Sequence, residues 1–249
     1  MITPGRVAVV TGAGSGIGQH CALALAAQGA RVAALDVNLD SARATVDQIA
    51  SMGGIALALQ VDVSDAESVT KAFTDTTTEW GQVDVLVHCA GILFDRTIKK
   101  LTAPDWAKVM KVNGEGTFLV VQAACEAMAE RSYGRIVCMS SAAYLGNFGQ
   151  AAYGAAKSTV VNLTRVAALE YARKGITVNA VAPGVVETPM TAAMPAEAFT
   201  KLAHMIPVGR VAKPEDIVHI VLALVDDGAG YITGQTVIVD GGLTIGTPT

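Results

Sequence analysis

The chain has 249 residues, 51% hydrophobic and 16% charged, with a formal net charge of −4 and a pI near 5.5. That length suits one α/β domain over residues 1–249, and the acidic balance excludes a basic nucleic-acid-binding surface. The mean hydropathy of +0.43 comes from short runs such as VAVV, VDVLV and IVHIVLALV, none near the ~18 residues of a membrane span.

The first segment, MITPGRVAVV, lacks the form of a signal peptide. Gly5 to Thr11 reads as a buried strand, followed by the turn TGAGSGIG (Thr11–Gly18) and an Ala/Leu-rich helix closed by Gly29. Strand, glycine turn and helix in that order form a phosphate cradle: Gly12 permits the tight turn, and Gly16 and Gly18 let backbone N–H groups approach a pyrophosphate. The spacing is GxxxGxG rather than GxGxxG. Arg31 to Leu35 is a second strand, ending in Asp36. A carboxylate there accepts hydrogen bonds from the ribose hydroxyls of NAD(H) and repels the 2′-phosphate of NADP(H). Ala13 and Ser15 add no cation for such a phosphate.

A helix from Leu39 to Met52, a strand from Ile55 to Val61, a helix starting at Asp65 and a strand from Val83 to His88 continue the alternation. Thr102 is a cap for the helix opening at Pro104, and a long helix is expected from Gly114 to Glu130 with Asn113 at the junction. The strand Gly134–Met139 leads into SSAAYLGNFGQAAYGAAK (Ser140–Lys157), inside a helix predicted over Gln150–Arg173. Tyr153 and Lys157 share one helix face, one turn apart. A phenol beside an ammonium makes a proton donor and acceptor that works near neutral pH. A strand Ile176–Ala182 precedes PGVVETPM. Residues 187–210 carry Met190, Met194, Phe199 and Met205 with no clean period, which suits a mobile lid over an apolar substrate. A helix from Pro214 to Val225 and a strand Val237–Asp240 complete the chain.

Strands and helices alternating every 20–30 residues predict a doubly wound parallel sheet with helices on both faces. The four Cys (21, 89, 125, 138) have no CxxC spacing and read as buried free thiols of a reducing, cytoplasmic compartment. The four His (20, 88, 204, 219) form no ligand motif, so no metal site is expected.

TGAGSGIG, Asp36, Asp62-Val63, Cys89-Ala90-Gly91, Asn113, Ser140/Ser141, YGAAK (Tyr153–Lys157), PGVVET (Pro183–Thr188) and TGQTVIVDGG (Thr233–Gly242) stand in the order seen in short-chain dehydrogenases/reductases. The chain resembles that family nearly end to end. The resemblance implies a single Rossmann-like domain with about seven strands. It implies Tyr153 as acid/base, and Lys157 as the residue that binds the nicotinamide ribose and lowers the Tyr pKa. Asn113 would hold a water in the proton relay, and a Ser would orient the substrate oxygen. Asp62 would contact adenine with Val63 beside it, and Val186 and Thr188 would hold the carboxamide. Gly12, Ser15, Gly16, Ile17, Gly18, Cys89, Ala90, Gly91, Pro183 and Gly184 complete the implied cofactor surface. Counting back from Tyr153 selects Ser140, whereas counting from the strand start selects Ser141. Strand register fixes side-chain direction, and Ser141 is the choice made here. Where the family has NNAG, this chain has His88-Cys89-Ala90-Gly91, and His88 reads as a core histidine taking over that role. Tyr144, with no Lys four residues on, reads as a pocket-lining residue.

The expected activity is NAD(H)-dependent interconversion of a secondary alcohol and a ketone. AGILFDRTI and GNFGQAAY look like 3-oxoacyl-acyl-carrier-protein reductases and related 3-hydroxyacyl-CoA dehydrogenases. Asp36 stands against the NADPH-using reductases, leaving a 3-oxoacyl thioester or a small or cyclic ketone. The alternative is a non-catalytic dinucleotide sensor or scaffold. An epimerase or dehydratase of the extended relatives is disfavoured by the absence of a long C-terminal substrate domain. The family further implies a homotetramer.

Overall fold

The central strands are buried along their whole length because they have a helical layer on both faces. In the computed structural model, which describes residues 2–192 and 196–246, the strands are β1 (Val7–Thr11), β2 (Arg31–Asp36), β3 (Ile55–Gln60), β4 (Val85–His88), β5 (Gly134–Met139), β6 (Ile176–Pro183) and β7 (Thr236–Val239). They form one seven-stranded sheet in the order β3-β2-β1-β4-β5-β6-β7, and every pairing is parallel. The doubly wound sheet expected from the alternation is the sheet found.

The helices are α1 (Gly16–Ala27), α2 (Leu39–Ser51), α3 (Ala66–Trp80), α4 (Ala103–Met110), α5 (Gly116–Ala129), α6 (Ala151–Tyr171), α7 (Ala196–Met205) and α8 (Pro214–Val225). Successive strand side chains point to opposite faces. Ala8, Val10, Val85, Val87, Val137 and Met139 therefore pack with Cys21, Leu25, Ile217 and Val221 of α1 and α8. Val9, Leu86, Ile136 and Cys138 pack on the other face with Phe73, Val120, Ala124, Met128 and Val160 of α3, α5 and α6.

Local chemistry sets the helix ends. The Asn38 side chain accepts from the N–H groups of Asp40 and Ser41, Asp65 from Glu67, and Thr102 from Asp105, each satisfying orphan donors of a first turn. One expectation is corrected. The helix predicted from Gly114 starts as α5 at Gly116, because Lys111–Glu115 form a π-turn that joins it to α4. No helix among the described residues is long and apolar enough to cross a membrane.

Candidate active site

From β1 the chain winds outward through β2 to β3, and from β4 it winds the other way. The connections at the carboxyl ends of β1 and β4 thus diverge and leave a crevice, the usual ligand position in such sheets. A cavity of about 980 Å³ opens there. Its walls include Gly12, Ser15, Gly16, Ile17, Gly18, Asp36, Asp62, Val63, Cys89, Ala90, Gly91, Ser141, Tyr153, Lys157, Pro183, Gly184, Val186 and Thr188. Of the catalytic and cofactor residues that the resemblance implies, Asn113 alone does not line it.

The glycine turn is built by close approach. A Cβ on Gly12 would lie 2.9 Å from the backbone nitrogen of Ala90, and one on Gly18 would lie 2.1 Å from the Gly12 carbonyl oxygen. At Gly16 the would-be Cβ sits 3.3 Å from the Thr188 methyl, which brings the turn against the 183–188 loop. The Asp36 carboxylate is held at the cavity wall by two backbone donors, Gly14 N–H and Asn38 N–H, each at 2.9 Å. Asp62 Oδ1 accepts from Ser64 N–H (2.9 Å) and Ser64 Oγ (2.7 Å), and these bonds hold its pKa below the ordinary carboxylate value. Backbone amides at a helix start, glycines without side chains and a fixed carboxylate 18 residues beyond Gly18 are a donor set suited to a dinucleotide.

Tyr153 and Lys157 project from the first turns of α6, with the Lys157 ammonium 5.6 Å from the Tyr153 ring centroid. Burial raises the Tyr153 pKa, the side-chain hydrogen bond with Ser141 lowers it, and Asp95 raises it again. Ser141 is thus a lowering influence on the phenol, beside the part that the family resemblance gives Lys157. Lys157 Nζ donates to the Met139 carbonyl at 2.7 Å, and burial drives its own pKa down to about 8.

Both Ser candidates stand just beyond β5 and line the cavity, and they differ in their bonds. Ser140 is buried and donates to the Lys157 carbonyl at 2.9 Å. Ser141 lines the cavity with Tyr153 and accepts from Ala143 N–H at 3.2 Å. Asn113 lies in the π-turn, fully buried. Its side chain clamps Ile92, accepting from the Ile92 N–H and donating to the Ile92 carbonyl, both at 2.8 Å. The clamp takes one N–H and one lone pair of the Asn113 amide, and the Asn113 backbone carbonyl accepts from Thr117 Oγ1 at 2.7 Å.

Several features were not read from the sequence. Asp95 and Gln150 line the cavity beside Tyr153 and are joined by a 3.1 Å hydrogen bond. Both lie in segments quoted above, but no period or spacing marks them. Tyr144 does not line the cavity, although its neighbours Ala143 and Leu145 do. In the proposed lid, Met190, Leu202 and Met205 face the cavity, while Phe199 lines a separate outer cleft. Met194 lies outside the described residues. The segment carries a helix, α7, that is only ten residues long, too short for its period to stand out in the sequence. Among the described residues no group of His, Cys, Asp or Glu could hold a metal ion.

The family profile described as enoyl-(acyl carrier protein) reductase matches residues 12–244. The BbsD subunit of (2S)-[(R)-hydroxy(phenyl)methyl]succinyl-CoA dehydrogenase from Thauera aromatica is 40% identical over 240 residues, covering 96% of this chain and 97% of that protein. Human (3R)-3-hydroxyacyl-CoA dehydrogenase is also 40% identical, over 247 residues, with 95% of each chain covered. Among solved structures, a short-chain type dehydrogenase/reductase from Mycobacterium marinum superposes with a TM-score of 0.92 at 32% identity, covering 98% of this chain and 97% of that one.

Proposed function

Since this chain belongs to the short-chain dehydrogenase/reductase family and is an oxidoreductase of hydroxyl and ketone groups, we propose that it interconverts a 3-hydroxyacyl and a 3-oxoacyl thioester with NAD(H). The observation that carries this reading is the convergence of Ser141, Tyr153 and Lys157 on one cavity wall, with the Lys157 ammonium 5.6 Å from the Tyr153 ring centroid. The glycine turn and Asp36, at the same crevice, would hold the dinucleotide. Bound nicotinamide supplies or accepts the hydride. Tyr153 gives the proton to the substrate oxygen, or takes it, and Ser141 orients that oxygen. Lys157 keeps a positive charge near the phenol and would reach the ribose. Pro183, Gly184, Val186 and Thr188 would close on the nicotinamide side. Two relatives at 40% identity whose names are CoA-thioester dehydrogenases support a thioester over a small or cyclic ketone. The sensor alternative has no observation in its favour.

Turnover assayed with 3-oxoacyl thioesters and cyclic ketones, using NADH and NADPH in parallel, tests the proposal. Activity confined to cyclic ketones would refute the substrate class, and a preference for NADPH would refute the cofactor. Asp36→Ala is expected to cut kcat/KM with NADH by about 10- to 100-fold, because hydrogen bonds to a charged acceptor are worth about 1.5–3 kcal/mol. The same variant should gain activity with NADPH; an unchanged cofactor ratio would remove Asp36 from the discrimination. The Ser residues should also separate. Ser141→Ala is expected to lower kcat by about 10²-fold, the scale of losing one donor to the reacting oxygen. Ser140→Ala should cost about 1 kcal/mol of stability from one buried hydrogen bond and little kcat. The opposite pattern would return the role to Ser140.

For assembly, we read Phe118 on α5, Val166 and Leu169 on α6, and Ile238 on the edge strand β7 as faces of a cytoplasmic homotetramer, since these large apolar side chains are exposed. A monomer by light scattering would sink that reading.

A further inference from the structure

Beneath the cavity floor a row of buried polar side chains runs from β1 through β4 to α5. His88 is at its centre and is fully buried. One ring nitrogen, Nδ1, lies 2.8 Å from Thr11 Oγ1, and the other, Nε2, lies 3.1 Å from Thr117 Oγ1. A neutral imidazole has one donor and one acceptor, and which nitrogen holds the proton follows from its partners. Here the partners decide it. The single hydroxyl hydrogen of Thr117 goes to the Asn113 carbonyl at 2.7 Å, so Thr117 Oγ1 is left to accept and His88 Nε2 must donate. Nδ1 is then the acceptor, and Thr11 Oγ1 donates to it. The lone pairs of Thr11 Oγ1 in turn accept the N–H groups of Cys89 and Ala90, both at 3.2 Å. Every hydrogen in the row is assigned, and all run in a consistent direction.

Both ends of this row reach the site. At one end are the amides of Cys89 and Ala90, which line the cavity against Gly12. At the other is Asn113, whose side chain clamps Ile92 and, with Lys157 Nζ, flanks Gly91 at 2.9 and 3.5 Å from where a Cβ would be. Thr11 and His88 belong to adjacent paired strands, so the row ties the glycine turn, the segment 89–92 and the π-turn together. We propose that His88, held neutral as the Nε2–H tautomer, is a positioning residue that sets the cofactor-facing amides of Cys89 and Ala90 through Thr11 and the Asn113–Lys157 side of the site through Thr117. This rests on the dehydrogenase reading above for its effect on turnover, but not for the tautomer. The surroundings keep the ring neutral. Burial first, and then the Lys157 charge, push its pKa down to about 3. Cys138, its partner on β5, stays a neutral thiol, with burial raising its pKa to about 12. No acid faces the ring from the residues that bond or pair with it.

Nitrogen-15 NMR of histidine-labelled protein tests the tautomer without any assay of activity. His88 should show Nε2 protonated and Nδ1 bare, unchanged from pH 8 to pH 5. An Nδ1–H signal, or titration in that range, would overturn the proposal. Three variants test the two arms. His88→Asn keeps an acceptor for Thr11 and loses the reach to Thr117, and Thr117→Val removes the second arm alone. Both should hold NADH Kd within about twofold by fluorescence titration and lower kcat about tenfold. His88→Leu, which fills the space and breaks both arms, should raise the NADH Kd about tenfold as well. A folded Leu variant with wild-type Kd and kcat would reduce His88 to a core filler. Should the Leu variant not fold, wild-type kcat in both His88→Asn and Thr117→Val would overturn the proposal equally. A wild-type protein that binds NADH yet reduces no 3-oxoacyl thioester would count against the function proposed above, while the tautomer and the Kd comparison would still decide this one.

Discussion

Tyr153→Phe is expected to bind NADH as the wild type does and to turn over about 10²- to 10⁴-fold more slowly, the usual contribution of a positioned acid/base. The ring that packs with Val109, Ala152 and Ala156 is kept, so only the hydroxyl is lost. Tyr153 and Ser141 line the same cavity. Steady-state turnover and NADH fluorescence titration, run side by side, separate chemistry from binding. Tyr144→Phe makes a matched control, since Tyr144 does not line the cavity, and it should stay near wild-type turnover. If Tyr153→Phe also stayed near wild type, the mechanism proposed here would be refuted.

Gly18→Ala should damage both fold and cofactor binding. The added methyl would sit 2.1 Å from the Gly12 carbonyl oxygen and 2.7 Å from its carbon. Both are backbone atoms, so no side chain can swing aside, and either α1 or the glycine turn must move. Forcing extra carbon into a packed interior costs about 1–3 kcal/mol, which for a chain of this size is a fall in Tm of roughly 2–12 °C. The displaced turn carries the amides that would face the pyrophosphate, so NADH affinity should drop by at least about tenfold. Gly53→Ala serves as the contrast. Gly53, unlike Gly18, has a positive φ (+77°), but nothing lies within 4 Å of its would-be Cβ, so it should lose about 1 kcal/mol and leave NADH binding intact. Wild-type affinity in Gly18→Ala would show that the turn tolerates movement and would weaken its assignment as the phosphate cradle.

Much of this architecture was legible because single residues answered to single constraints. Strands buried on both faces read as continuous apolar runs, and alternation within them sends Val9 one way and Val10 the other. The glycine turn was legible because a Cβ is excluded there by backbone. Ser140 and Ser141 both line the cavity, and only their bonds tell them apart: Ser140 donates to the Lys157 carbonyl of α6, and Ser141 accepts from Ala143. What was illegible depends on several partners at once. KVNGE carries no mark of a π-turn, and Asn113 meets Ile92 only after the chain has folded 21 residues back on itself. Nor does a sequence show the Met139 carbonyl that receives the Lys157 ammonium, or the burial that brings its pKa down to about 8.

The π-turn at Lys111–Glu115 also acts as an offset in a crankshaft. In a straight helix one extra residue turns everything beyond it by about 100°. Val109, ahead of the offset, packs with Ala152 and Ala156 beside Tyr153. Val120, Val121, Ala124 and Met128, beyond it, pack into the sheet layer. A single uninterrupted helix would drift out of phase with one of these two partners. The inserted residue allows one continuous rod to serve both, and it puts Asn113 at the bend, where the helix already departs from its regular hydrogen bonding.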